Sequence, residues 1–213
     1  MKDSKLPARR LALAMVLSSL GLAACDKLGL NGLMSKKPQA KSSFHAVDIT
    51  GAEYANALSL PDFDGKTRSL ADFKGKVVFV FFGYTQCPDV CPTTMAELAE
   101  VRRRLGPQGD QVQGVFVTVD PERDTPEILK AYLQGMDKTF IGLRGSAEQT
   151  EAVTRTFKVF YQKVPTKDGY TMDHTAGAYV FDPEGRIRLF VRYGMPVADL
   201  TADLHALLNP PAA

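Results

Sequence analysis

The chain has 213 residues, 45% of them apolar, with 26 Lys and Arg against 24 Asp and Glu and a formal net charge of +2. That is one domain's length with enough apolar material for a real core, and far too little positive charge for a nucleic-acid footprint. Setting aside Lys2, Lys5, Arg9, Arg10 and Asp3 leaves 22 basic and 23 acidic residues, net −1, so the excess belongs to the first ten residues.

Those residues read as a targeting segment. The four basic residues form an n-region, and Leu11 to Leu22 form an apolar h-region too short for a permanent bilayer-spanning helix. Leu22-Ala23-Ala24-Cys25 resembles a bacterial lipobox, the sequence cut before a cysteine that receives lipid; an ordinary secretory signal or short membrane anchor is the alternative. Asp26 resembles the signal that keeps such lipoproteins on the inner membrane. The expected organisation is a signal peptide over 1–24, a lipidated Cys25 with a flexible tether over 25–45, and a folded domain over 46–213. The expected location is the periplasmic face of the inner membrane. Lys36, Lys37 and Lys41 fit a solvated linker.

Within the domain, Leu58 to Leu70 contains Asp64-Gly65, a hairpin signal. Val77 to Phe82 is apolar throughout, as in a strand covered on both faces. Thr93 to Leu105 reads as a helix with Met95, Leu98, Val101 and Leu105 on one face and Gly106-Pro107 as its stop. Val112 to Val119 is a second strand. Asp124-Thr125-Pro126-Glu127 opens another helix, with Ile128, Leu129, Tyr132 and Leu133 inward and Gly135 at its end. Ser146 to Gln149 is a capping box for a helix through Phe157. Gly177 to Phe181 and Arg186 to Val191 are strands joined by Asp182-Pro183-Glu184-Gly185. Val197 to Leu208 is a closing helix with Val197, Leu200, Leu204, Leu207 and Leu208 inward. This order is an α/β, thioredoxin-like arrangement: a central mixed sheet flanked by helices, with an N-terminal β-hairpin.

The chemistry gathers at FFGYTQCPDVCPTTM. With Cys25 spent on lipid, Cys87 and Cys91 are the two cysteines left, so no disulfide elsewhere in the domain is available. Outside the cytoplasm such a pair either cycles through a disulfide or is kept reduced by a partner. Pro92 suits a first helical turn, which places Cys91 at about the N-cap. The unpaired N–H groups and positive potential there stabilise thiolate, lowering a thiol pKa from about 8.5 to roughly 3.5–7.5. Thiolates select soft ions, Cu(I) above all, with Zn as competitor. Two thiolates leave a metal under-coordinated. Of three histidines, His45 lies in the linker and His205 on the closing helix. His174 precedes the strand at Gly177, on a loop that lies beside the dithiol in such a fold.

Three segments in order, GKVVFVFFGYTQCPDVCPTTM, VFVTVDPERDTPE and DHTAGAYVFDPEGR, are similar to the Sco (SenC) family of copper proteins, over about residues 50–208. The resemblance implies one copper ion per monomer, Cu(I) in preference to Cu(II), held by Cys87, Cys91 and His174. Many members have His where this chain has Gln86, a position that is not a ligand. The resemblance implies delivery of copper to, or preparation of the thiols of, the dinuclear copper site in cytochrome c oxidase subunit II. A periplasmic thiol reductant or another copper chaperone is the expected further partner. Asp120 and Asp124 match a family motif; they either shape the surface near the site or, more plainly, end a strand and cap a helix. Asp173 is a candidate to orient the His174 ring. Met95 is read as packing, and Met172 as turned elsewhere by strand alternation. Beside the metallochaperone stand two other readings: a thiol-disulfide oxidoreductase using Cys87 and Cys91 as its redox-active pair, and a copper or redox sensor.

Overall fold

The computed structural model describes residues 43–210, so the signal segment, Cys25 and most of the tether lie outside the described residues. The chain enters through a short edge strand, β1 (Val47–Asp48), and a small hairpin of β2 (Ser59–Pro61) and β3 (Thr67–Ser69) turning at Asp62–Gly65. There follow β4 (Val77–Gly83), α1 (Val90–Arg104), β5 (Val112–Thr118), α2 (Pro126–Gln134), β6 (Ile141–Leu143) and α3 (Ala147–Phe157). A second hairpin comes next, β7 (Tyr161–Thr166) with β8 (Gly169–His174). The chain closes with β9 (Gly177–Phe181), β10 (Ile187–Arg192) and α4 (Val197–Leu208). Six strands form the main sheet in the order β1-β10-β9-β4-β5-β6, while each hairpin is a two-stranded sheet of its own. Among the described residues no helix is long and apolar enough to cross a membrane.

The apolar run at Val77 dictates the centre. All seven residues of β4 are buried: β5 pairs with it in parallel on one edge and β9 antiparallel on the other, and packed layers cover both faces. Phe79, Phe81 and Phe82 are each at most 1% exposed, and burying a side chain of this size contributes about 1.5–3 kcal/mol. Strand alternation divides these rings between two layers. Phe82 meets Phe157 of α3 at 5.0 Å, while Phe81 meets Phe116 of β5, which in turn meets Tyr132 of α2 at 5.8 Å. The carboxyl end of β4 is thus a firm floor from which the next loop departs.

The helices stand close to their sequence signals, with instructive differences. The first begins at Val90 rather than Thr93, so Cys91 is inside the helix and Asp89 takes the N-cap position. Cys91 then shares the inward stripe of Met95 and Leu98, four and seven residues on, which is why it is wholly buried. Thr125, not Asp124, caps α2: its hydroxyl accepts the Ile128 N–H at 3.3 Å. Ile128, expected inward, is 46% exposed, and only Leu129 and Leu133 are fully buried on that helix. The capping box at Ser146 and Gln149 is present as expected. His45 is held rather than loose: its ring meets Asp203 of α4 at 2.9 Å, and the same buried carboxylate accepts the His45 and Ala46 N–H groups.

Candidate metal centre

The loop from β4 to α1 brings Cys87 back over the strand end through a turn in which the Cys87 N–H donates to the Tyr84 carbonyl at 3.3 Å. Cys91 follows in the first turn of α1, and its N–H donates to Cys87 Sγ at 3.4 Å. Pro92 sits in that same turn, where helix N–H groups have no intrahelical acceptor. Behind the sulfur stands Gly83: a Cβ there would lie 2.7 Å from Cys91 Sγ, so the strand end must be glycine for the sulfur to fit.

His174 arrives from the second hairpin. It is the last residue of β8, opposite Tyr161 of β7, and so stands on a strand where the sequence suggested a loop. Its Nε2 lies 3.4 Å from Cys91 Sγ. Its Nδ1 lies 3.2 Å from the Thr175 carbonyl. With Nδ1–H donated to that carbonyl, Nε2 is the ring nitrogen turned toward the sulfurs, where it can share a proton with them or hold a metal ion. Phe81 and Tyr84 meet the ring edge-on, at 6.0 and 5.8 Å between centroids. One donor atom from each of Cys87, Cys91 and His174 falls within 4.8 Å of the others, close enough for all three to hold one metal ion.

The two thiols are unlike. Both are free, Cys87 half-buried and Cys91 buried. The hydrogen bond from Cys91 holds the Cys87 thiol down at about 4, against the cost of burial, with the backbone N–H groups of Asp89 and Cys91 and the His174 ring adding to it. The same bond, together with burial, pushes Cys91 up. One thiolate and one thiol therefore share a proton, with the charge on the more accessible sulfur.

The acidic candidates separate. Asp124 is fully buried and accepts from the Thr85 hydroxyl at 2.6 Å, the Thr85 N–H and the Thr118 hydroxyl at 2.5 Å. It ties the loop that leads to Cys87 onto the end of β5, and burial holds its carboxyl above the usual range despite those bonds. Asp120 is 2% exposed and accepts from Arg123 and from the Tyr170 hydroxyl, the latter at 2.9 Å. Neither carboxylate serves as the cap or mere strand end that the plain reading suggested. Asp173 is exposed and paired in register with Gln162; the Thr175 carbonyl stands against the imidazole instead. Met95 packs in the core as expected. Met172, contrary to expectation, shares parity with His174 on β8, and it too is buried. Arg123, in the same VDPERDTP segment, also reaches the site, and in the sequence its only mark is its nearness to Asp120 and Asp124.

Two sulfurs and an imidazole nitrogen at the carboxyl end of a central strand define a thiolate–imidazole metal-binding domain. The SCO1/SenC family model matches residues 46–209. The bovine mitochondrial SCO2 homolog is 41% identical over 140 residues, covering 64% of this chain and 52% of that protein. Copper-bound ScoI of Bradyrhizobium japonicum superposes with a TM-score of 0.65 at 43% identity, covering 71% of this chain and 97% of that one. A SCO1/SenC family lipoprotein of Bacillus anthracis gives a TM-score of 0.61 at 28% identity, covering 71% and 92%. The chain belongs to the SCO1/SenC family and has its thioredoxin-like fold. It spans between about half and two thirds of the length of curated relatives such as the bovine protein.

Proposed function

We propose that this protein is a membrane-anchored periplasmic copper-binding metallochaperone that delivers copper to, or matures, the dinuclear copper site of cytochrome c oxidase subunit II. The observation that carries the reading is the meeting of Cys87, Cys91 and His174 within 4.8 Å on a family domain whose Bradyrhizobium relative was solved with copper bound. The donor set fits the cargo: two soft sulfurs and an imidazole nitrogen suit Cu(I), and the hydrogen bond from Cys91 favours the thiolate form of Cys87. Cys87 is also partly exposed, so a partner has a sulfur to approach. The lipobox at Cys25 and the likeness to a family lipoprotein support the anchor; palmitate labelling, abolished by Cys25→Ala, tests it. The main test is anaerobic Cu(I) titration of the reduced protein against a chelator, with His174→Ala and the Cys87–Cys91 disulfide form beside it. The disulfide form is expected to lose Cu(I) binding; full affinity there overturns the ligand set.

The unequal thiols favour one second reading, a thiol-disulfide reductase acting on the same partner. The Cys87 thiolate attacks a partner disulfide and Cys91 then displaces it, so that the partner gains two thiols while the Cys87–Cys91 disulfide forms. In a deletion strain, rescue of oxidase copper content by added copper supports delivery, and rescue by a small thiol reductant supports reduction.

A further inference from the structure

The donor atoms ride on separately hydrogen-bonded elements: the dithiol on β4 and α1, His174 on a hairpin outside the main sheet. Arg123, from the loop between β5 and α2, touches both. Its Nη1 donates to Gln86 Oε1 at 3.0 Å and to the Tyr170 carbonyl at 2.8 Å. Gln86 adjoins Cys87, and Tyr170 lies on β8 four residues before His174. The guanidinium lies 3.7 Å over the Tyr170 ring, and its Nε donates to buried Asp120, whose other oxygen accepts the Tyr170 hydroxyl. Balancing the charge of Asp120 needs one donor. The remaining contacts reach outward, to the thiol loop on one side and the hairpin on the other, while Nη2 stays buried without a hydrogen-bond partner among the described residues.

We propose that Arg123 is a positioning residue for the metal site: by spanning Gln86 and Tyr170 with one guanidinium nitrogen, it sets how closely His174 approaches the dithiol. Holding Asp120 through Nε while Nη1 spans Gln86 and Tyr170 needs the planar fork of arginine, because a lysine ammonium is a point charge that cannot place donors at both sites. The inference rests on the copper-binding reading above, and the experiment separates the two.

Cu(I) affinity of the full reduced chain is measured by competition with a chromogenic chelator. The variants are His174→Ala, Arg123→Lys, the pair Arg123→Ala with Asp120→Asn, and each Arg123 variant combined with His174→Ala. The pair removes both charges, so no carboxylate is left buried alone. Each Arg123 variant is expected to weaken Cu(I) binding about 10- to 100-fold where His174 is present. In the His174→Ala background the same changes are expected to have no further effect, a dependence that general destabilisation would not produce. Equal losses in both backgrounds, or no loss in either, overturn the role. Should those variants not fold, Gln86→Ala at an exposed position cuts one end of the span; a loss that depends on His174 supports the role, and its absence overturns it. If His174→Ala binds as tightly as the unaltered chain, the ligand set fails and the inference falls with it. If His174→Ala weakens binding and no Arg123 variant does, the inference alone fails.

Discussion

The two sides of the site are made of different material. Cys87 and Cys91 grow from a strand with seven buried residues and a helix whose inward stripe includes Cys91 itself. His174 grows from a hairpin in which five of the six β7 residues are exposed, held to the body mainly by side chains: Tyr84 with Thr171, Arg123 and Asp120 with Tyr170, and Lys163 with Glu122. Backbone pairing and core packing fix the sulfurs, whereas the imidazole is placed by those polar contacts together with buried Met172 and the Phe81 and Tyr84 rings. Elements with few buried apolar contacts open at lower free energy than core strands. The imidazole side is therefore the one expected to open first.

The sharpest way to break this comparison is to remove donors one at a time. Cys87→Ser or Cys91→Ser is expected to reduce Cu(I) affinity well beyond the roughly 10- to 100-fold that loss of a supporting residue costs. His174→Ala is expected to have the smaller effect, leaving a two-sulfur site; chelator competition on the three variants gives the ranking. If His174→Ala proves the most damaging, the sulfurs are not the fixed half.

Asp124→Ala tests the anchoring of the thiol side. It strands the hydroxyls of Thr85 and Thr118 without their acceptor and is expected to destabilise the domain by about 3 kcal/mol, read from urea unfolding. A change near zero would mean that β4 alone holds the loop.

The unequal thiols predict a pH profile. Cys87 is held at about 4, far below the ordinary thiol range, so its alkylation by iodoacetamide is expected to stay nearly constant down to about 5 and to fall only as pH approaches about 4. Cys91→Ala removes the largest cause of that lowering and should move the break upward. Mass spectrometry of the modified residue follows both.

The smallest effect is expected away from the site. Asp203 raises the His45 pKa above the ordinary 6.5, chiefly through their hydrogen bond. A group raised on folding contributes fully below about 6.5 and loses that contribution as pH rises through its folded value. The difference in urea midpoint between the unaltered chain and His45→Ala should therefore be largest at about pH 5.5 and shrink towards about pH 8.5. Cu(I) affinity should be unchanged.

What was legible in the sequence follows the same division. Val77 to Phe82 announces a doubly covered strand because both its faces are apolar, and the cysteines after it stand out by type and spacing. The hairpin that carries His174 is not legible in the same way, because strands with wet faces show no apolar alternation: Tyr161-Gln-Lys-Val-Pro-Thr166 looks like a loop. Its one signal was Asp168-Gly169 between residues of strand preference. The buried acids are hidden in the sequence for a related reason. Asp120, Asp124 and Asp203 are buried by partners distant in the chain, and a window of neighbours cannot show that Thr85 will meet Asp124 or that His45 will meet Asp203.

The glycine behind Cys91 has a consequence for the order of events. With strand backbone at its back and no exposed surface of its own, this sulfur is shielded from solvent, whereas Cys87 keeps some exposure. Whatever comes to the site, whether an ion, an alkylating agent or a thiol of another protein, meets Cys87 first.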